Sequence, residues 1–138
     1  MSADISNLSG NRFPATQDAQ RQGLSIIVPA YNEAAGLALL HERLCTLAGK
    51  LKQDSGLSCE VVYVDDGSAD NTLAIARSLP ATALDVQVVS LSRNFGKEAA
   101  LMAGLDHARR GAVLFMDGDG QHAPELVEQL VRHWIVDG

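Results

Sequence analysis

The sequence predicts an α/β fold of the doubly wound class, in which a mostly parallel sheet is covered by helices on both faces. Four short apolar runs rich in β-branched residues alternate along the chain with four segments of helical periodicity. Parallel strands need crossover connections of this kind, and such crossovers are right-handed. The predicted strands also lead into polar loops, which favours a ligand site at the carboxyl edge of the sheet.

The predicted strands are apolar runs bounded by polar or turn-forming residues. We end the first strand at Val28 because Pro29 follows it. The fourth strand leads directly into an acidic turn that begins at Asp117. The four predicted strands are Leu24–Val28, Glu60–Val64, Val86–Leu91 and Ala112–Met116.

The first two predicted helices connect the first three strands. The first follows Glu33 and ends in a polar turn over Gln53–Ser58, and the second is capped by Ser68 or Asp70 and ends at Pro80. The apolar face of the first helix consists of Leu37, Leu40, Leu44, Leu47 and Leu51.

The last two predicted helices flank the fourth strand. The third helix is rich in alanine, extends to about Arg109 and is broken by Gly111. The fourth has Pro124 in its first turn, a position that suits proline. Its apolar stripe consists of Leu126, Val127, Leu130, Val131 and Trp134.

Length and charge predict one acidic domain. The 138 residues fit a single core. Residues 1–23 are polar and without a sustained period, so we expect a mobile arm there and a folded part over residues 24–138. The formal net charge of −6 argues against a nucleic acid as the main partner. A nucleotide stays open as a ligand because a metal ion can carry its phosphate charge.

Cysteine usage and hydropathy predict a cytoplasmic chain. Cys45 and Cys59 suggest neither a disulfide framework nor zinc-ligand spacing, which favours a reducing compartment. No apolar run approaches the ~20 residues of a membrane-spanning helix. The N-terminus also lacks the basic and apolar segments of a secretion signal.

The acidic turn is the strongest candidate for a metal site. The stretch Val113–His122 reads V-L-F-M-D-G-D-G-Q-H, so a buried strand delivers Asp117 and Asp119 to almost the same point. Paired carboxylates repel each other, and a bound Mg²⁺ or Mn²⁺ resolves that repulsion. A solvated turn is the simpler alternative. A calcium loop is disfavoured because His122 stands where that loop needs glycine.

Two common nucleotide-binding motifs are absent. The segment P-A-Y-N-E after the first strand has no glycine for the tight turn of a dinucleotide site, and no G-x-x-x-x-G-K-[ST] segment exists. If the strand order is 3-2-1-4, residues 29–33 lie beside residues 117–121, with Asp65 one strand away. Every chemically unusual segment then lies at one edge.

Four motifs occur in order: I-I-V-P-A-Y-N-E, V-D-D-G-S-A-D-N-T, S-R-N-F-G-K-E-A-A-L and M-D-G-D-G-Q-H-A-P-E. This combination resembles the inverting family 2 glycosyltransferases, which have a Rossmann-like GT-A fold. Within that family it is most similar to the branch of dolichyl-phosphate mannose synthases and bacterial polyprenyl-phosphate sugar transferases. The resemblance covers Leu24 to about Ile135.

The resemblance implies a role for each motif in binding a nucleotide-sugar donor. Asp65 would accept a hydrogen bond from the base, since uracil and guanine both present ring N–H donors. Arg93 and Lys97 would meet phosphate or base where the third helix begins. The residues expected to bind the donor are Pro29, Tyr31, Asn32, Glu33, Asp65, Asp66, Gly67, Arg93, Lys97, Asp117 and Gly118.

The acidic turn would supply the metal ligands and the catalytic carboxylates. By resemblance, Asp117 lies near the ribose and the metal, Asp119 binds the metal that holds the diphosphate, and Gln121 assists. Many relatives have D-A-D-L-Q here, so Gly118 and Gly120 depart from the pattern without removing a ligand.

Other interpretations of these residues stay open. Asp65 and Asp66, or Asp66 alone, could cap a helix. Tyr31 could be a packing residue at the strand end. Arg93 and Lys97 could form surface ion pairs with Glu98.

The implied reaction displaces a nucleoside diphosphate from an activated sugar with inversion at the anomeric carbon. An anionic polyprenyl phosphate could accept the sugar without a general base. Relatives bind their acceptor through a later portion, so we expect this chain to be the donor-binding half of a longer enzyme, at the cytoplasmic face of the membrane, with little turnover by itself. A saccharide acceptor and a non-catalytic nucleotide-binding scaffold are the alternatives, and an oligomer is compatible with each.

Overall fold

The computed structural model describes residues 23–116 and Gln129. Strands and helices alternate throughout this part of the chain, as the sequence predicts. Residues 1–22 of the predicted arm and most of the predicted fourth helix lie outside the described residues. Gly23, the last residue of that predicted arm, is buried, and its carbonyl accepts the Ala112 N–H. In chain order the elements are β1 (Leu24–Ala30), α1 (Leu37–Ser55), β2 (Cys59–Asp65), α2 (Thr72–Ser78), β3 (Asp85–Ser90), α3 (Lys97–His107) and β4 (Ala112–Phe115).

The strands form one parallel sheet with the order β3-β2-β1-β4. Strand β1 is central: its Ile26 lies opposite Val61 of β2 and Leu114 of β4. The α/β fold class and the predicted strand order are confirmed. Because all strands are parallel, their carboxyl ends meet at one edge.

Strand β1 continues past the proline at which we expected it to end. The N–H of Met116 donates to Ile27 O on the β4 side, and the N–H of Asp66 donates to Ala30 O on the β2 side. Backbone groups alternate between the two sides, so the missing N–H of Pro29 faces the β4 side. Pro29 therefore leaves the β1–β2 ladder intact, and the strand extends to Ala30.

The two faces of the sheet carry different helices. Helices α1 and α2 cover the face that contains Ile26 and Val28, and the predicted leucine face of α1 is entirely buried there. Helix α3 covers the other face, where Ala100 packs with Ile27 and Val62. Within residues 23–116, no helix has the length and apolar character that crossing a bilayer would require.

Helix α3 ends at His107, before the predicted end near Arg109, because the next backbone groups bind a buried side chain. The Glu60 carboxylate, 1% exposed, accepts hydrogen bonds from the Arg109 N–H (2.6 Å), from Ser25 Oγ (2.6 Å) and from Gln87 Nε2 (2.9 Å). One carboxylate thereby joins β1, β2, β3 and the turn before β4.

This network lowers the pKa of Glu60. Burial raises the pKa of the carboxyl, but hydrogen bonds from Ser25, Arg109 and Gln87, together with the nearby Arg110 charge, outweigh that effect. The pKa of Glu60 therefore lies below its ordinary value.

We predict that Glu60→Gln removes a pH-dependent part of the stability. Because the folded pKa lies below the unfolded value of ~4.3, the carboxylate stabilises the fold above that pH and loses this effect as pH falls through the folded pKa. At about pH 7 the variant should lose about 1–3 kcal/mol in its free energy of unfolding, and the loss should shrink in acid. Urea denaturation over a pH series measures this, with the exposed Glu42→Gln as control. The same loss at every pH would contradict the prediction.

Helix α3 packs unusually closely against the sheet at one glycine. A Cβ built on Gly104 would lie 2.4 Å from Ile27 Cγ2 and 3.2 Å from Val64 Cγ2. Gly49, in the interior of α1, has no atom within 4 Å of such a Cβ. The two helical glycines therefore have opposite packing constraints.

We predict that Gly104→Ala destabilises the fold and that Gly49→Ala does not. The added methyl at position 104 must displace β-branched core side chains, which costs about 1–3 kcal/mol. The same change at position 49 should stabilise α1 by up to about 1 kcal/mol through helix propensity. Thermal and urea unfolding of the two variants measure the contrast, and equal effects of the two changes would contradict the close packing of α3.

Candidate functional site

Three loops meet at the carboxyl edge of the sheet. They follow β1, β2 and β3 and correspond to the first three sequence motifs. The structure brings to this edge the predicted site residues Pro29, Tyr31, Asn32, Glu33, Asp65, Asp66, Gly67, Arg93 and Lys97. Their predicted contacts with a donor stay predictions, and the geometry below shows what each can offer.

Asn32 ties the loop after β1 to the loop after β2. Its backbone has a positive φ of 55°, a conformation that asparagine tolerates better than most residues. Its N–H donates to Ser68 Oγ (2.9 Å), and its Oδ1 accepts from the Ala69 N–H (2.9 Å). One side of the Asn32 amide is thus occupied in holding the loops together.

The next residues continue this connection. The Glu33 N–H donates to Thr72 Oγ1 (2.9 Å), and the Ala34 N–H donates to Asp70 Oδ2 (3.3 Å). Asp70 also accepts from the Thr72 hydroxyl and from the Thr72 N–H, and these bonds lower the pKa of the Asp70 carboxyl.

Asn71 occupies the N-cap of α2 and makes no side-chain cap hydrogen bond. The prediction that Ser68 or Asp70 caps this helix is therefore wrong, and their side chains instead accept N–H groups of the loop after β1.

Asp66 ties the loop after β2 to the loop after β3. Its carboxylate is 4% exposed and accepts the Phe95 N–H at Oδ1 (2.9 Å) and the Gly96 N–H at Oδ2 (3.1 Å). Gly96 immediately precedes α3. The capping alternative for Asp66 therefore has a structural counterpart, but at the start of α3 and not at the start of the helix that follows it in sequence.

Gly67 lets these two loops touch. It has a φ of 71°, and a Cβ added there would lie 2.3 Å from both the Arg93 carbonyl carbon and the Asn94 nitrogen. Backbone atoms cannot move aside as the end of a side chain can. This position therefore requires glycine for both conformation and space.

Asp65 ends β2, an interior strand of the sheet, at the carboxyl edge. It lies opposite Ala30 and Ser90, and is 4% exposed. Its Oδ1 accepts a long hydrogen bond from the Ser68 N–H (3.4 Å). This local turn orients the carboxylate at the strand end.

Aromatic and cationic side chains line the outer part of the edge. Tyr31 is 47% exposed and Phe95 is 49% exposed, so neither is a core packing residue. The Arg93 guanidinium carbon lies 4.8 Å from the centroid of the Phe95 ring. Lys97 is the first residue of α3. Aromatic faces and cations of this kind can contact a base and a phosphate.

The predicted metal-binding turn lies outside the described residues. Asp117, Gly118, Asp119 and Gln121 follow Met116, whose N–H is bonded to Ile27 O beside the end of β1. Among residues 23–116 and Gln129, no group of three or more His, Cys, Asp and Glu side chains could hold a metal ion.

The parallel sheet and its interlocked carboxyl-edge loops define a GT-A-like α/β domain. The model described as Glycosyl transferase family 2 matches residues 25–138. The chain belongs to this glycosyltransferase family.

Individual relatives agree with this membership. The chain is 42% identical over 113 residues to the "Putative glycosyltransferase CsbB" of Bacillus subtilis, covering 81% of this chain and 33% of that protein. It is 33% identical over 111 residues to the "Prophage bactoprenol glucosyl transferase homolog" of Escherichia coli, covering 80% of this chain and 35% of that protein. The chain thus spans about a third of the length of the curated relatives it matches.

A solved structure has the same fold. The crystal structure of S. aureus TarS 1–349 in complex with UDP-GlcNAc aligns with a TM-score of 0.60 and 33% identity, covering 80% of this chain and 30% of that one. The neighbour therefore binds a nucleotide sugar on a fold similar to this one.

We predict that Gly67→Ala disrupts the candidate site. The new methyl meets the backbone of the third loop and also strains a positive φ, so the free energy of unfolding should fall by about 2 kcal/mol or more. Gly36→Ala is the matched control, because nothing lies within 4 Å of a Cβ there and its φ is −112°. Urea unfolding compares the two, and a fully stable Gly67→Ala variant would contradict the close approach of the loops.

Proposed function

We propose that the full-length protein is a metal-dependent, inverting glycosyltransferase that moves a sugar from a UDP- or GDP-sugar to a polyprenyl phosphate. The described residues form the base and ribose side of its donor site and include Arg93 and Lys97, which would meet its phosphate or base. The observation that carries this proposal is the position of Asp65, a carboxylate at the carboxyl edge, among the three interlocked loops. The TarS complex with UDP-GlcNAc supports a uridine nucleotide as the first ligand to test.

Asp65 is suited to select the base. Uracil and guanine each present a ring N–H, which a carboxylate accepts in a charge-assisted hydrogen bond. Tyr31 and Asn32 flank this position from the loop after β1, and the exposed Tyr31 ring offers a face against which a base or ribose can pack. Pro29 and Glu33 complete this side of the proposed pocket.

The metal ligands of the proposed site are Asp117, Asp119 and Gln121. Their carboxylate and amide oxygens are the donors that Mg²⁺ and Mn²⁺ prefer. Both oxygens of Asp66 already accept backbone N–H groups, so Asp66 is not needed in this ligand set. A bound metal would neutralise the charge that develops on the leaving diphosphate.

The acceptor is proposed from the chemistry of a lipid phosphate. Several relatives are named bactoprenol glucosyl transferases, which supports a polyprenyl-phosphate acceptor here. Such a phosphate is already anionic, so its attack on the sugar needs no general base. We place the acceptor site in the portion that the relatives have beyond their match to this chain, and the enzyme at the cytoplasmic face of the membrane.

Calorimetry on the full-length protein tests the donor site. We expect UDP, GDP or their sugars to bind more tightly with Mn²⁺ than without it, and Asp119→Ala to abolish that metal dependence. Asp65→Asn should weaken binding of the preferred nucleotide by about tenfold or more, because a charge-assisted hydrogen bond is lost.

The exposed Asp106→Asn on α3 is the control and should bind as the wild type does. Binding that needs no metal would refute the assignment of Asp117 and Asp119. Failure of every nucleotide would favour a scaffold domain, and turnover with a saccharide but not with a polyprenyl phosphate would favour the other acceptor class.

A further inference from the structure

We propose that Asp66 is a positioning residue, which holds the loop after β3 so that Arg93 reaches the diphosphate of the donor. This inference rests on the proposed function, since it assigns Asp66 a part in the same site. It differs from a direct ligand role, in which the Asp66 carboxylate would contact the nucleotide.

The surroundings of Asp66 favour an indirect role. The carboxylate is 4% exposed, so it has little surface left for a ligand. Each of its oxygens accepts one backbone N–H, from Phe95 at 2.9 Å and from Gly96 at 3.1 Å. Hydrogen bonds to an ionised acceptor are about twice as strong as neutral ones. The Asp66 carboxylate therefore binds the backbone of the loop after β3.

A second contact restricts the same loop from the neighbouring residue. Gly67 brings the backbone after β2 against the backbone of Arg93 and Asn94, with no space for a Cβ. The loop is thus held by hydrogen bonds after Asn94 and by backbone packing before it. These two restraints fix the direction in which the chain leaves β3 and enters α3.

The restrained loop presents a cation over an aromatic ring. Phe95, whose N–H is bonded to Asp66, places its half-exposed ring under the Arg93 guanidinium at 4.8 Å. An aromatic face orients a guanidinium and reduces the freedom that binding would otherwise remove. A planar guanidinium can then bind two phosphate oxygens at once. Asp66 thus acts on Arg93 through Phe95, whose N–H it binds and whose ring contacts the guanidinium.

A neutral amide cannot replace the carboxylate. In Asp66→Asn one oxygen still accepts an N–H, but the amide NH₂ faces the other N–H donor. One end of the loop is released while the side chain keeps its size. The variant therefore tests the hydrogen bonds with little change in packing.

A double-mutant cycle on the full-length protein tests the proposal, with calorimetric affinities for UDP and uridine. Asp66→Asn and Arg93→Gln should each weaken UDP by about fivefold to tenfold and leave uridine within about twofold, since only UDP carries the diphosphate. In the Arg93→Gln background, Asp66→Asn should have almost no further effect on UDP, because the two residues act through one contact.

Additional variants keep the test decisive if Asp66→Asn folds poorly. Phe95→Leu retains the backbone N–H but removes the ring, so it should weaken UDP by a similar factor and spare uridine. Asp106→Asn should change neither affinity. Equal losses for UDP and uridine, or independent losses in the cycle, would overturn the proposal.

Amide hydrogen exchange separates this inference from the proposed function. If the wild type binds no nucleotide, the proposed function fails, but Asp66→Asn should still accelerate exchange at Phe95 and Gly96 by about tenfold relative to the Asp106→Asn control. Unchanged exchange at both amides would overturn the positioning role whatever the ligand.

Discussion

The structure depends on the backbone pairing of β1 along both of its edges. This strand is bonded to β2 on one side and to β4 on the other, with buried side chains on both faces. A one-residue shift of its register would move every side chain of β1 to the opposite face of the sheet and disrupt the packing against both helix layers. The loop after β1 and the end of β4 are therefore fixed side by side, and the whole candidate site inherits its geometry from this pairing.

The site is further organised by side chains that bind the backbone of neighbouring loops. Asn32 joins the loops after β1 and β2, and Asp66 joins the loops after β2 and β3. Hydrogen bonds from loop backbone to short polar side chains join these loops, whereas backbone-to-backbone hydrogen bonds join the strands of the sheet. Such loops remain ordered at a surface where a ligand can approach, which lowers the ordering cost of binding.

The two edges of the sheet have different tasks. At the amino edge, the buried Glu60 carboxylate accepts hydrogen bonds from Ser25, Gln87 and the Arg109 N–H. Its charge therefore stabilises the fold. At the carboxyl edge, exposed aromatic rings and cations stand near a buried Asp65. The donor site that we propose lies at that second edge, where open parallel sheets commonly bind ligands. The acceptor is then left to the remaining portion of the proposed enzyme.

The sequence by itself determined the fold class and the buried leucine face of α1, whereas the strand order entered only as a condition that the structure then met. The fold class and the leucine face follow from hydrophobic periodicity, which is local in the chain and is read without knowing any partner. The family was also accessible, because four motifs in order carry the resemblance.

Only the tertiary structure decided the continuation of β1 through Pro29, the Glu60 network, and the partners of Asn32 and Asp66. Each of these depends on which groups lie opposite a residue that is distant in sequence, as for Phe95 with Asp66, 29 positions apart, and Arg109 with Glu60, 49 positions apart. The sequence alone does not distinguish a carboxylate that caps a helix from one that binds a base or holds a loop. These roles differ in which hydrogen-bond donors lie near the carboxylate oxygens in the folded protein. Those donors come together only when the strands pair.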